Sequence, residues 1–316
     1  MGTSLSNPGP KGGPQLLPPW APPAGNGDDA QTAGGSDAGP GVNALEDGAG
    51  ADPGPSSEPT SADISGPLTG HATWNSVRRL TGSMASGRAS GQHARDNVHR
   101  GVQRSVGAMG GRRAAAQSAV AGRQTAGRFA SFLAGVAAGG IAAAARTLGI
   151  AEYLGRSADV FLVHLADALA PAGALTEDAI ARKAMDATLL DLYRELGIGA
   201  EGLVALERMT PAMMASALVQ FVINYIHERV INALAAHLHE TAPTITRIGE
   251  VERTALRYIE GVVRQDLDTA AFFGADGAAL AAGWDAGAGQ RVINRLVEEA
   301  YGVVEAGLAR PARGVA

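Results

Sequence analysis

The stretch TPAMMASALVQFVINYIHERVINALAAHLHE, residues 210–240, decides the fold. Thr210 before Pro211 is a capping residue followed by proline in the first turn, where the missing N–H costs nothing. Beyond them Leu218, Val222, Tyr225, Ile226, Val230, Leu234 and His237 recur every three or four positions on one broad face, which Phe221 and Ile223 widen. A face that wide asks for burial on more than one side. The spacing therefore predicts the core helix of a helical protein, broken by Pro243.

The segments on either side have the same period. Residues 157–169 precede Pro171. Residues 175–196 open on the capping signal Thr176-Glu177-Asp178 and stop at Gly197 and Gly199. Residues 248–267 carry Val251, Leu256, Ile259, Val262 and Val263 between Glu and Arg, and 289–308 carry Val292, Ile293, Leu296, Val297, Tyr301 and Val304. Val-rich alternation at strand length does not occur. The reading is all-α: a multi-helix bundle of about seven helices over residues 129–310, with 311–316 a disordered C-terminus. Aromatic residues are only 4% of the chain, so burial of Leu, Ile and Val is expected to stabilise the bundle.

Residues 129–145 are uncharged, lie between Arg128 and Arg146, and contain Gly135-x-x-x-Gly139. Seventeen residues of helix reach about 25 Å, against roughly 30 Å of hydrocarbon. Ala and Gly supply most of them. A close-packed helix is expected, not stable membrane insertion. The chain has no Cys, which excludes disulfides, thiolate catalysis and cysteine-based metal sites. A reducing compartment agrees with this, and no signal-peptide layout is visible; a cytoplasmic location is expected.

The formal net charge of −5 hides three blocks. Residues 1–70 hold one base, Lys11, and eight acids; residues 71–128 hold ten Arg and one acid, Asp96; residues 129–316 hold fifteen bases and twenty-two acids. The middle block is Arg/Gly/Ser-rich, and glycines at 82, 87, 91, 101, 107, 110 and 111 weaken any long helix there. It is read as a basic segment, partly helical, with 112–128 joining the helix that follows. Arg78, Arg79, Arg88, Arg95, Arg100, Arg104, Arg112 and Arg113 are candidate nucleic-acid ligands through sequence-blind phosphate contacts. The competing reading is an arm lying on the acidic helical domain or on an acidic partner. Only Trp74 is available there for base stacking.

Before the basic block, residues 24–70 read Gly, Asp, Ala, Pro and Ser and cannot bury enough apolar surface to order themselves. They are expected to be a disordered acidic linker, with a reach of roughly 35–40 Å. Residues 1–23, MGTSLSNPGPKGGPQLLPPWAPP, are too rich in Gly and Pro for helix or central strand, yet they cluster Leu16, Leu17 and Trp20. Removal of Met1 before the small pair Gly2 and Thr3 would expose the Gly2 amine, whose ordinary pKa of roughly 7.7–8.0 leaves a neutral nucleophilic fraction at neutral pH. Leu17-Pro18-Pro19-Trp20 suits polyproline II docking into an aromatic-lined groove.

The opening Met-Gly-Thr-Ser, the turn Gly9-Pro10-Lys11-Gly12 and Leu17-Pro18-Pro19-Trp20 resemble the N-terminus of the QatB family of bacterial Qat anti-phage defence systems. The order of a Gly/Ser/Arg-rich segment and then an Ala-rich helical domain is similar too. The resemblance implies a non-enzymatic component with an ATPase, a QueC-like enzyme and a TatD-like nuclease as partners. It further implies Gly2 as the acceptor of a modification by the QueC-like enzyme, with Thr3, Ser4, Leu16, Leu17, Pro18, Pro19 and Trp20 engaging the partner. The alternative is a nucleic-acid-binding scaffold acting through arginines 78–128.

Other motifs lead nowhere chemical. Gly197-Ile-Gly199-Ala-Glu-Gly202 matches the dinucleotide spacing but follows a helix instead of a strand. His227-Glu228-Arg229-Val230-Ile231 has Ile where a zinc protease needs its second His. His237 and His239 lie about 200° apart around a helix, so one buried and one exposed is expected. Glu250, Glu252, Glu298 and Glu299 read as solvated faces. No catalytic residue, metal or cofactor is expected.

Overall fold

The computed structural model describes residues 73–281, 284 and 286–307. No strand occurs among them. The chain first forms α1 (Trp74–Ala85), α2 (Gly91–Ala108) and α3 (Gly111–Ser118), and then the long α4 (Val120–Thr147). After a 3-10 turn come α5 (Ala158–Leu169), α6 (Thr176–Glu195) and two single turns, α7 (Ile198–Glu201) and α8 (Val204–Glu207). The central α9 (Pro211–Thr241) leads into α10 (Ile245–Asp266), two short turns, α11 (Ala270–Phe273) and α12 (Ala278–Ala281), and finally α13 (Ala286–Ala306). Nine of these, among the described residues, are seven residues or longer. All lie within the unit Asp63–Ala316.

Helix α9 begins where its sequence says it should. The Thr210 hydroxyl accepts the Met213 N–H at 3.3 Å, and Pro211 occupies the first turn. Leu218, Val222, Tyr225, Ile226, Val230 and Leu234 are all at most 1% exposed, as are Phe221 and Ile223. The neighbours α6, α10, α4, α1 and α13 surround it. Between Met214 and Ile226 only Ser216 and Gln220 escape burial. The next helix is capped in the same way by Thr244, which accepts from Arg247 N–H at 3.4 Å, and begins three residues earlier than the apolar pattern suggested. At α6 the Asp178 carboxylate reaches back to the Leu175 N–H at 3.2 Å, as its capping signal predicts.

Three features differ from the sequence reading. First, residues 74–118 are three helices packed into the bundle, with Val77, Val98, Val102 and Val106 fully buried; α4 then runs without interruption across residues 128 and 129. Second, the uncharged helix is not straight. Gly140 has φ 76°, ψ 172°, a conformation open essentially only to glycine. The chain folds back there, so that a Cβ on Gly135 would lie 3.3 Å from the Ala144 Cβ. The restarted segment is capped by Glu207, whose carboxylate accepts the Ile141 N–H at 3.3 Å. Third, aromatic residues are few but central. All six phenylalanines are buried, and Tyr225 and Tyr301 are the largest fully buried side chains. Phe129 meets Phe221 edge-on at 6.5 Å, and Phe221 stacks on Tyr225 at 6.2 Å.

Candidate functional site

The candidate modification acceptor Gly2, the candidate partner-binding residues Thr3, Ser4, Leu16, Leu17, Pro18, Pro19 and Trp20, the linker 24–70 and the C-terminus 311–316 lie outside the described residues. The candidate arginines are described, and the fold divides them. Arg112 and Arg113 on α3 face the acidic side of α13, at 3.8 Å from Glu299 and 3.4 Å from Glu298, and the Arg112 N–H donates to Glu305. Arg100 donates to Asn97 at 2.6 Å and Arg88 to the Ser86 hydroxyl at 3.0 Å. The guanidinium groups of Arg78, Arg79, Arg95 and Arg104 make no hydrogen bond or ion pair among the described residues. Trp74 is half-buried against the core.

The densest polar cluster was not legible in the sequence. Arg229, one turn beyond Tyr225 on α9, donates to the Ala115 carbonyl at 2.6 Å, to the Ser118 hydroxyl at 2.6 Å and to the Tyr301 hydroxyl at 3.0 Å. It lies 3.8 Å from the Glu177 carboxylate, which also accepts from the Tyr225 hydroxyl. One guanidinium thereby ties α3, α6 and α13 to α9. Burial pushes the Glu177 carboxyl above its ordinary value, and Arg229 only partly offsets this. Burial also pushes the Tyr301 hydroxyl up to about 12, so it remains a neutral partner. The signal that could have found the cluster is an arginine four positions after a tyrosine on the edge of an otherwise apolar face.

Beside it, His227 donates to the Glu252 carbonyl at 3.1 Å and approaches Glu228 at 3.5 Å; Glu228 pairs with Lys183 at 2.7 Å. Burial pushes the Glu228 carboxyl up, but the bonds from His227 and Lys183 outweigh it and hold it below its ordinary range. No group of three or more metal-ligating side chains occurs among the described residues. His237 is half-buried and donates to the Arg78 carbonyl at 2.9 Å, and His239 is exposed. Gly197 and Gly202 have positive φ; Gly197 separates α6 from α7 and Gly202 ends α7, as helix breakers do.

Two surface features remain. Between α5 and α6 lies an apolar groove of about 280 Å³ lined by Leu162, Val163, Leu189, Leu190 and Tyr193, with Val163 56% and Leu190 47% exposed. A wider cleft of about 520 Å³ sits between α9 and the turns at 269–277. Helix α4 is long and apolar enough to cross a membrane by composition; half of its most apolar stretch is buried in the bundle.

The described residues define an all-α protein of the helical-bundle class, its core knitted by a polar cluster on the central helix. The chain belongs to the QatB family: residues 110–304 match the family described as Qat anti-phage system associated protein QatB. It is therefore the QatB component of a Qat system, alongside that system's other components. The matched span runs from the start of α3 into α13. No curated protein and no solved structure matches the chain.

Proposed function

We propose that this QatB is a non-enzymatic, cytoplasmic component of its defence system, a helical body that docks to partner proteins and carries a tail presented to a QueC-like partner enzyme. That enzyme modifies the tail at Gly2; an ATPase and a TatD-like nuclease complete the assembly. The observation that carries this reading is the family membership over residues 110–304 taken with the N-terminal Gly/Pro tail that ends in Leu17-Pro18-Pro19-Trp20. The body supports it in two ways. The ionisable groups Arg229 and Glu228 on α9 are bonded to the neighbouring helices α3, α13 and α6, which suits a rigid carrier. Its α5–α6 groove leaves aliphatic side chains open, as protein-binding surfaces do.

Mass spectrometry tests the proposal. The full chain is co-expressed with its neighbouring Qat components and its N-terminal peptide is compared with that from cells carrying an inactivated QueC-like enzyme. A mass increase confined to the peptide containing Gly2, and dependent on the active enzyme, is the expected result. An unmodified peptide in the presence of active enzyme refutes it. Exchange of Gly2 for a bulky residue should abolish phage resistance while the thermal melt of the body stays unchanged.

A further inference from the structure

We propose that the α1–α2 hairpin binds duplex nucleic acid along its phosphate backbone, through Arg78, Arg79 and Arg104. The hairpin precedes the span matched to the family, and the inference stands independently of the tail.

The first argument is electrostatic. Residues 74–108 hold six arginines, no lysine and a single carboxylate, Asp96, which accepts from Gln92 at 2.8 Å. Elsewhere in the body some arginines find carboxylates, as Arg182 has Asp167 and Asp186, Arg247 has Glu250, and Arg264 has Glu260, and others are spread singly among acids. On the hairpin four guanidinium groups have none among the described residues. Arg78, Arg79 and Arg95 are exposed and Arg104 is half-buried. Uncompensated guanidinium groups on a folded surface are a phosphate-binding array with little ordering left to do on binding.

The second argument is geometric. Asn97 donates to Ser83 at 3.0 Å, and Thr81 packs where a side chain on Gly101 would sit. The two helices are therefore antiparallel, and one turn further from the bend brings Arg78 and Arg79 level with Arg104. Arg95 stands nine residues back along α2, about two and a half turns, and so lies on the opposite side of that helix from Arg104. Duplex DNA carries one charge per roughly 1.7 Å of axis, so the cluster of Arg78, Arg79 and Arg104 faces several phosphates at once.

The third argument chooses among polyanions. The exposed large aliphatic residues among the described ones are on α4, α5, α6, α8, α9 and α10 and before α6; none is on the hairpin. A protein partner would need a desolvated apolar centre, and this face supplies only charge. Single strands are held by stacking on several free aromatic rings, but Trp74 is half-buried against the core and His99 is stacked on Tyr258 at 4.7 Å. A regular double-stranded backbone is the ligand that needs neither.

The test is fluorescence anisotropy of a labelled mixed-sequence duplex of about 30 base pairs with the full chain. Three displaced counterion contacts predict a slope of log K against log salt near −2.7, roughly a 40-fold weakening between about 50 and 200 mM KCl. Replacing Arg78, Arg79 and Arg104 together by Gln should remove binding with the circular dichroism melt unchanged. Arg79→Gln alone should lower the slope by about one. Arg112→Gln with Arg113→Gln, whose charges are already paired, should bind within about threefold of the parent. Absence of binding at the lower salt, or undiminished binding by the triple variant, overturns the proposal. So does a single strand that binds more tightly than the duplex, or polyglutamate that competes as well as unlabelled duplex, which would assign the face to an acidic protein.

Discussion

Replacing Gly122 by alanine sets two effects of opposite sign against each other. Gly122 is in the first turn of α4, where alanine should gain at most about 1 kcal/mol in helix propensity. But a Cβ there would land on the ring of Tyr225, closer than real Cβ atoms approach anything. The ring cannot readily yield. Tyr225 is 1% exposed, stacks on Phe221 and donates its hydroxyl to Glu177. Overpacking of this kind costs about 1–3 kcal/mol, and displacing the hydroxyl from a carboxylate costs about 1.5–3 kcal/mol more. The losses exceed the gain, with a net destabilisation of about 3 kcal/mol. For a body of this size that is a melting temperature lower by about 6–12 °C. The control is Gly261 on α10, where a Cβ would meet nothing within 4 Å and the position is exposed. Gly261→Ala should raise the melting temperature by about 2–4 °C. Calorimetry of both variants beside the parent decides it. If Gly122→Ala melted at or above the parent, propensity would have outweighed packing, and the close seat of Tyr225 on α4 would be wrong.

Gly140→Ala should cost about 1–3 kcal/mol, because φ 76° with ψ 172° is closed to a side chain, and urea titration should show it as a lower midpoint at unchanged slope. Stability against acid should separate the two buried carboxylates. Glu228, held below its ordinary range, contributes stability that is present above the unfolded-state pKa and is lost as pH falls through the folded-state value. Glu177, pushed above its range, works the other way: between its two values the folded state binds more protons, so its contribution declines as pH rises. Urea midpoints measured from pH 7 down to about pH 3 should therefore fall more steeply for Glu177→Gln than for the parent and less steeply for Glu228→Gln. Identical profiles for all three would refute both assignments.

What the sequence made legible were the elements whose signals are local. The cap at Thr210, the reach-back of Asp178 and the stripe from Leu218 to Leu234 each depend on residues within a turn or two, and each stands where expected. The tail lies outside the described residues, and its reading rests on composition and on the resemblance. Arg229 was invisible in the sequence. Its partners Glu177, Ala115, Ser118 and Tyr301 come from three other helices, and nothing local announces that an arginine will be buried.

The basic segment shows most clearly where local counting stops. Each glycine in a helix weighs about 1 kcal/mol against it, and several in one stretch argue for a loose arm. That sum omits what the absence of a Cβ allows. At Gly101 a side chain would press on Thr81 at 2.8 Å, and at Gly82 on His237 at 2.7 Å. These two glycines are where α2 meets α1 and α1 meets α9. Close approach there buries Val77, Val98, Val102 and Val106 completely, and burying a valine is worth about 1.5–3 kcal/mol. Four such residues outweigh the propensity lost at two glycines. The same composition would make a loose arm on a chain lacking the matching surface. Here α9, α10 and α13 supply that surface, and the arginines between the glycines are thereby held on rigid helices, turned away from the core they help to close.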